Sequence, residues 1–202
     1  MFVAADLSLT ASPGEVAAAC ERAFGRVDCL VNAAASTERG GLLDAGPDFI
    51  DAMFAANVRA PFLLMQAAAR MMRKAGQGGT MVNILSVNAH CGTPELAVYS
   101  TTKEALATLT RNAANTLAAD RIRVNGIHLG WADTPAEHMV QERTSPHGKN
   151  WLEAVNRTRP FGRLIQVDEL ADLAAFLLSA NAGVMTGALI DYDQRVMGAP
   201  PP

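Results

Sequence analysis

The chain has 202 residues, half of them hydrophobic, which suits one domain of ordinary size with a substantial buried core. Its 17 basic and 20 acidic residues leave a net charge of -3 and form no basic run, and no aromatic ladder is present, so nucleic acid is excluded as an expected partner. No apolar stretch reaches the ~18 residues needed to cross a bilayer, and the start Met-Phe-Val-Ala-Ala-Asp lacks the regions of a signal peptide, so the expected location is the cytoplasm, with no membrane partner.

Short β-rich runs alternate with Ala-rich helical stretches along the whole chain, the pattern of an α/β fold in which helices cover a parallel sheet. Phe2–Ala5 is the first predicted strand. Ser12-Pro13 opens a helix to about Phe24, with serine at the cap, proline in the first turn and Gly25 closing it. Val27–Asn32 reads as the next strand. Residues 48–74 are helical and rich in Ala and Met, with Pro61 a break or bend. Gln77-Gly-Gly turns the chain into the strand Thr80–Leu85, which ends at Ser86. A long amphipathic helix covers Tyr99–Ala119, and Arg121–His128 is another buried strand. From Asp133 to Arg159, polar residues, Pro, Gly and two short helices suit a mobile lid more than a core. Helix Asp168–Ser179, with its acidic start Asp168-Glu169, and strand Ala188–Tyr192 follow. No repeat or linker divides the chain, so residues 1–197 form one domain and residues 198–202 a Pro-rich tail.

Cys20, Cys29 and Cys91 are odd in number and share no close spacing, which suits buried, reduced thiols. His90, His128, His138 and His147 lack ligand spacing on any one helix face, so no metal centre is expected. In parallel α/β sheets ligands bind beyond the carboxyl ends of the strands, which singles out Asp6, Asn32–Ser36, Ser86–His90 and Leu129–Thr134. Ala33-Ala-Ala leaves room for a flat ligand or serves tight strand-to-helix packing. A hydroxyl at Thr134, beyond Gly130, could hold a ligand's polar end or cap a helix. Tyr99 and Lys103 stand four apart, so a helix puts phenol and ammonium on one face, where the ammonium favours the phenolate. Ser86 would hold a substrate oxygen. The plainer readings are a turn hydroxyl for Ser86, an exposed helix cation for Lys103 and a buried structural amide for Asn57.

These residues occur in an ordered series: Asp6-Leu7, Leu30-Val-Asn-Ala-Ala-Ala35, Asn57, Val82-Asn-Ile-Leu-Ser86, Tyr99-Ser-Thr-Thr-Lys103, Arg123-Val-Asn-Gly126, Gly130-Trp-Ala-Asp-Thr134 and Thr186-Gly187. In that series the chain resembles the short-chain dehydrogenase/reductase family from residue 1 to about residue 193. The resemblance implies a Rossmann-like, doubly wound parallel sheet with helices on both faces. It implies a hydride transfer between NAD or NADP and a secondary alcohol or ketone. Tyr99 is then the general acid/base, Ser86 polarises the carbonyl or alcohol, and Lys103 lowers the tyrosine pKa and binds the nicotinamide ribose. Asn57 anchors a water linking Lys103 to solvent, Thr134 with Gly130 holds the carboxamide, Asp6 with Leu7 holds the adenine, and Asn32, Ala33 and Ala34 form the floor. Glu38, Arg39, His90, Glu95 and His138 lean toward a polar or polyhydroxylated substrate, and the helices at 58–74 and 99–119 toward a homodimer or homotetramer.

The chain departs from the family in having no Thr-Gly-x-x-x-Gly-x-Gly turn. By resemblance the first two strands are also absent, which implies an N-terminally truncated member, leaves Phe2–Ala5 without its neighbour and exposes an edge of the Val27 strand. The residue that chooses between NAD and NADP is absent too. A catalytically silent module on the same fold, or an epimerisation or dehydration, stays open as an alternative.

Overall fold

Four β-rich runs pair side by side in a computed structural model that describes residues 1–199; residues 200–202 of the Pro-rich tail lie outside the described residues. In chain order the elements are α1 (Ser12–Phe24), β1 (Cys29–Asn32), α2 (Pro47–Phe54), α3 (Ala60–Ala75), β2 (Gly79–Ile84), α4 (Asn88–Cys91), α5 (Ala97–Leu117), β3 (Ile122–Leu129), α6 (Pro135–Thr144), α7 (Trp151–Asn156), α8 (Val167–Leu178) and β4 (Leu189–Tyr192). The strands are all parallel and lie in the order β1-β2-β3-β4.

Alternation along the strands sends side chains to two faces. Met81 and Val124 meet Met65 and Met72 of α3 and Leu117 of α5 on one face, and α1 packs on α3 outside them. On the other face Val82, Ile84 and Ile127 meet Ala174 and Leu177 of α8. The fold is therefore α/β with helices on both faces, as the alternating pattern requires. Among the described residues no helix is long and apolar enough to cross a membrane.

Several expectations change. Phe2–Ala5 forms no strand and Phe2 is 89% exposed, because a strand exists only through hydrogen bonds to a neighbour and these residues have none. β1 is correspondingly an edge, bonded to β2 on one side, with Val31 42% exposed. Ser12 is the first helical residue of α1 and Ala11 its cap, while Gly25 closes the helix at φ 69° as expected. Cys20 is half-buried and Cys29 and Cys91 are exposed, since β1 lies at the edge and α4 at the surface; all three are free thiols. The segment expected as a mobile lid is anchored by Trp151, 1% exposed, which stacks on Trp131 with ring centroids 6.2 Å apart.

One polar chain joins the edge strand to the core. Asn32 donates to Asn83 Oδ1 at 2.8 Å, Asn83 donates to Thr110 Oγ1 at 2.9 Å, and Thr110 donates to the Leu106 carbonyl at 2.7 Å. Asn83 and Thr110 are wholly buried, so removing the middle member strands polar groups away from water. Replacing Asn83 with Ala is expected to destabilise the fold by about 2–4 kcal/mol. Chemical denaturation measures this, and faster amide exchange in β1 should accompany it.

Candidate active site

Because the strands are parallel, their carboxyl ends and the loops that follow lie along one side of the sheet. Ser86 follows β2 and is 5% exposed; its Oγ accepts from the Asn88 N–H at 3.2 Å. The Ser86 carbonyl accepts from the Ala89 N–H at 2.9 Å and from the imidazole Nδ1 of His128 at 2.9 Å. Tyr99 and Lys103 sit in the first two turns of α5, on one face as their spacing requires. The Lys103 ammonium is 5.7 Å from the Tyr99 ring centroid and donates to the Ile84 carbonyl at 2.8 Å. The exposed-cation reading of Lys103 therefore fails, since the residue is 3% exposed.

Burial governs both titrations. Desolvation pulls the Lys103 ammonium down to about 8. It also pushes the Tyr99 phenol above its ordinary range; the hydrogen bond with Ser86 works in the other direction and the Glu137 carboxylate adds to the rise. Against the expectation that Lys103 draws the phenol down, the net shift is upward, with dehydration of the phenolate its largest cause. Tyr99 is thus protonated at neutral pH.

Asn57 is 1% exposed and lies in a π-helical turn, Ala55–Arg59, between α2 and α3. Pro61 offers no N–H to the Asn57 carbonyl, and the helix widens there, with the Ala60 N–H reaching back to the Ala55 carbonyl. The Asn57 amide accepts from the Ser36 N–H at 2.8 Å and donates to the Ser36 carbonyl at 2.9 Å and to Thr102 Oγ1 at 3.1 Å. Thr102 in turn donates to the Tyr99 carbonyl at 2.7 Å. The side chain of Asn57 is taken up by protein and braces the loop after β1 against α5, where the resemblance implies a water anchor.

The other expected residues fall in two places. Asp6, Leu7 and Ala34 line a cavity of about 370 Å³ together with Ser8, Ser36 and Glu38. Asp6 accepts from the Ser8 N–H at 2.9 Å and hydroxyl at 2.7 Å, which holds its carboxyl below the usual range. Asn32 does not face this cavity, being turned into the core on Asn83, and Ala33 is exposed in the loop between them. Thr134 is on the far side, capping α6 by accepting from the Glu137 N–H at 3.2 Å. Gly130 lies against the Asp193 carboxylate, which would clash with an added Cβ. Spacing alone missed Thr102, Glu137 and His128. The one available signal was His128 as a lone imidazole near the end of a predicted strand that also carries Arg123 and Asn125.

A family model described as enoyl-(acyl carrier protein) reductase matches residues 1–194. The chain is 35% identical over 170 residues to an uncharacterized oxidoreductase of Thermotoga maritima, covering 84% of this chain and 67% of that protein. Its fold superposes on the crystal structure of L-sorbose reductase from Gluconobacter frateurii complexed with NADPH and L-sorbose, with a TM-score of 0.88, 25% identity, and 98% of this chain and 77% of that one covered. It also superposes on 3-ketoacyl-(acyl-carrier-protein) reductase from Brucella melitensis complexed with NADH, with a TM-score of 0.81, 29% identity and coverage of 95% and 76%.

The lowered Lys103 value has a testable sign. Between about 8 and the ordinary 10.5 the unfolded chain holds a proton that the folded chain has lost, so stability rises with pH across that window. The penalty of the buried charge is fully present below it. Relative to Lys103→Met, the wild-type chain should gain about 2 kcal/mol from about pH 8 to pH 10 by denaturant titration. Tyr99, its value raised, works in the opposite direction only above about pH 10.

Proposed function

The chain belongs to the short-chain dehydrogenase/reductase family, and on that premise we propose that it transfers a hydride between NAD or NADP and a secondary alcohol or the matching ketone. The observation that carries this reading is a half-buried phenol beside the Ser86 hydroxyl and one helical turn from the Lys103 ammonium. The complexes of NADH and NADPH with the two similar structures support the choice of cofactor class.

The nicotinamide dinucleotide, when bound, supplies the hydride. The residues present fit its two ends: the Asp6 carboxylate is an acceptor for an adenine amine beside the small Ala34 wall, and Leu7 offers an apolar contact. Lys103 and Tyr99 would hold the nicotinamide ribose, and Gly130 and Thr134 the carboxamide, with Ala33 at the floor and Asn32 supporting the loop from the core through Asn83. Ser86 donates to the substrate oxygen, and the Asn88 N–H on its Oγ polarises that hydroxyl. Tyr99 gives its proton to the same oxygen as negative charge develops, which is the step reduction of a carbonyl requires. Oxidation of the alcohol runs the same path backward. L-sorbose in one similar structure supports a polar or polyhydroxylated substrate.

The alternative on the same fold is a catalytically silent module, which differs from the enzyme in binding no dinucleotide. The site is also read as cytoplasmic and as part of a homodimer or homotetramer. Phe62, 47% exposed on α3 beside a hollow lined by Phe54, Val58 and Leu63, supports self-association. Sedimentation should show an assembly that Phe62→Glu dissociates; a purely monomeric wild-type profile sinks this part.

Tyr99→Phe should lower dinucleotide-dependent ketone reduction by about 10²–10⁴-fold while the thermal midpoint holds. Nicotinamide absorbance measures the first, a thermal melt the second, and a titration with NAD and NADP whether the folded chain binds dinucleotide. Activity persisting in Tyr99→Phe defeats the proton-carrier role, and a folded chain that binds neither NAD nor NADP establishes the silent module.

A further inference from the structure

Three side chains far apart in sequence meet near the carboxyl ends of β3 and β4. His128 on β3 and Asp191 on β4 are register partners in the parallel ladder, and His90 on α4 leans over them. The two imidazole centroids are 4.6 Å apart, and His90 Nε2 is 2.8 Å from Asp191 Oδ1. One nitrogen from each histidine and one oxygen from the aspartate all lie within 4.8 Å of one another.

The pairing of His90 with Asp191 accounts for two members only. His128 is 2% exposed, and its Nδ1 stands 2.9 Å from the Ser86 carbonyl. A carbonyl oxygen only accepts, so Nδ1 carries the hydrogen and Nε2 keeps a lone pair. A backbone carbonyl that fixes the tautomer in this way is the usual support of a metal-ligating histidine. We propose that His90, His128 and Asp191 bind a divalent transition metal such as Zn²⁺. Two imidazoles and one carboxylate form a ligand set for it, with a position left for water. Tetrahedral bonds of about 2.0–2.2 Å bring ligand atoms to roughly 3.3 Å from one another. The remaining contraction falls on His90 and Asp191, whose side chains are 42% and 43% exposed and can move, while buried His128 stays fixed.

Such a metal ties α4 to the ends of β3 and β4. It also stands one ligand away from Ser86, through the His128 hydrogen bond to the Ser86 carbonyl. The inference does not depend on the hydride-transfer reading, because none of the three ligands belongs to that machinery.

Cobalt titration of chelator-stripped, full-length chain tests it, with Co²⁺ as the spectroscopic probe and Zn²⁺ as competitor. Visible d–d bands saturating at about one equivalent per chain are expected, bleached by Zn²⁺ and by chelator. His90→Gln and Asp191→Asn should each weaken Co²⁺ binding about tenfold or more. Both positions are exposed, so the metal-free variants should melt like wild type, whereas Zn²⁺ should raise the thermal midpoint of wild type alone. Absence of the bands, or variants that bind Co²⁺ as wild type does, overturns the proposal and leaves an ordinary hydrogen-bonded pair.

Discussion

A cation held out of water at the end of β2 organises the site. Among the described residues Lys103 has a single acceptor for its ammonium, the Ile84 carbonyl, and leaving that charge without one would be far more costly than the bond's own strength. The bond therefore fixes how far α5 can slide along or rotate over the sheet. Tyr99, one turn earlier on the same helix, inherits that placement, and so does its approach to Ser86 two residues beyond Ile84. A neutral side chain of equal length would pack but would not specify the register so tightly.

A second brace works from the other side. The Asn57 amide closes on both backbone groups of Ser36 and reaches Thr102, which is bonded to the Tyr99 carbonyl. The loop after β1, the helical turn before α3 and the start of α5 are thus joined by one buried side chain. Sheet and helices alone would not achieve this, because the loops at the strand ends carry few apolar contacts. Ala33 and Ala34 are exposed, and Asn32 is anchored inward.

What the sequence made legible is what depends on local pattern. β2 was readable because Thr80 to Ile84 is bounded by Gly78-Gly79 on one side and Ser86 on the other, and α5 because its apolar positions recur at helical spacing. The face shared by Tyr99 and Lys103 followed from helix geometry. Phe2–Ala5 misled because strand formation belongs to a pair of segments, and composition describes only one of them. The phenol's titration misled because spacing measures nearness and says nothing of how much water remains. His128 and Asp191 become neighbours only through the register between β3 and β4, which spacing along one helix face does not report.

The π turn before α3 makes helix length itself a determinant of the site. A π turn holds one more residue than the α-helical turn it replaces. Because the wide turn absorbs that residue, the flanking helices α2 and α3 stay in phase and only the backbone around Asn57 bulges. Deleting a single residue there would restore a regular helix with its two flanks facing as before, but the bulge that carries Asn57 onto the Ser36 backbone would be lost although no residue touching Ser36, Tyr99 or Lys103 had been altered. A one-residue deletion in this stretch is therefore a local change of backbone shape before it is a change of chemistry.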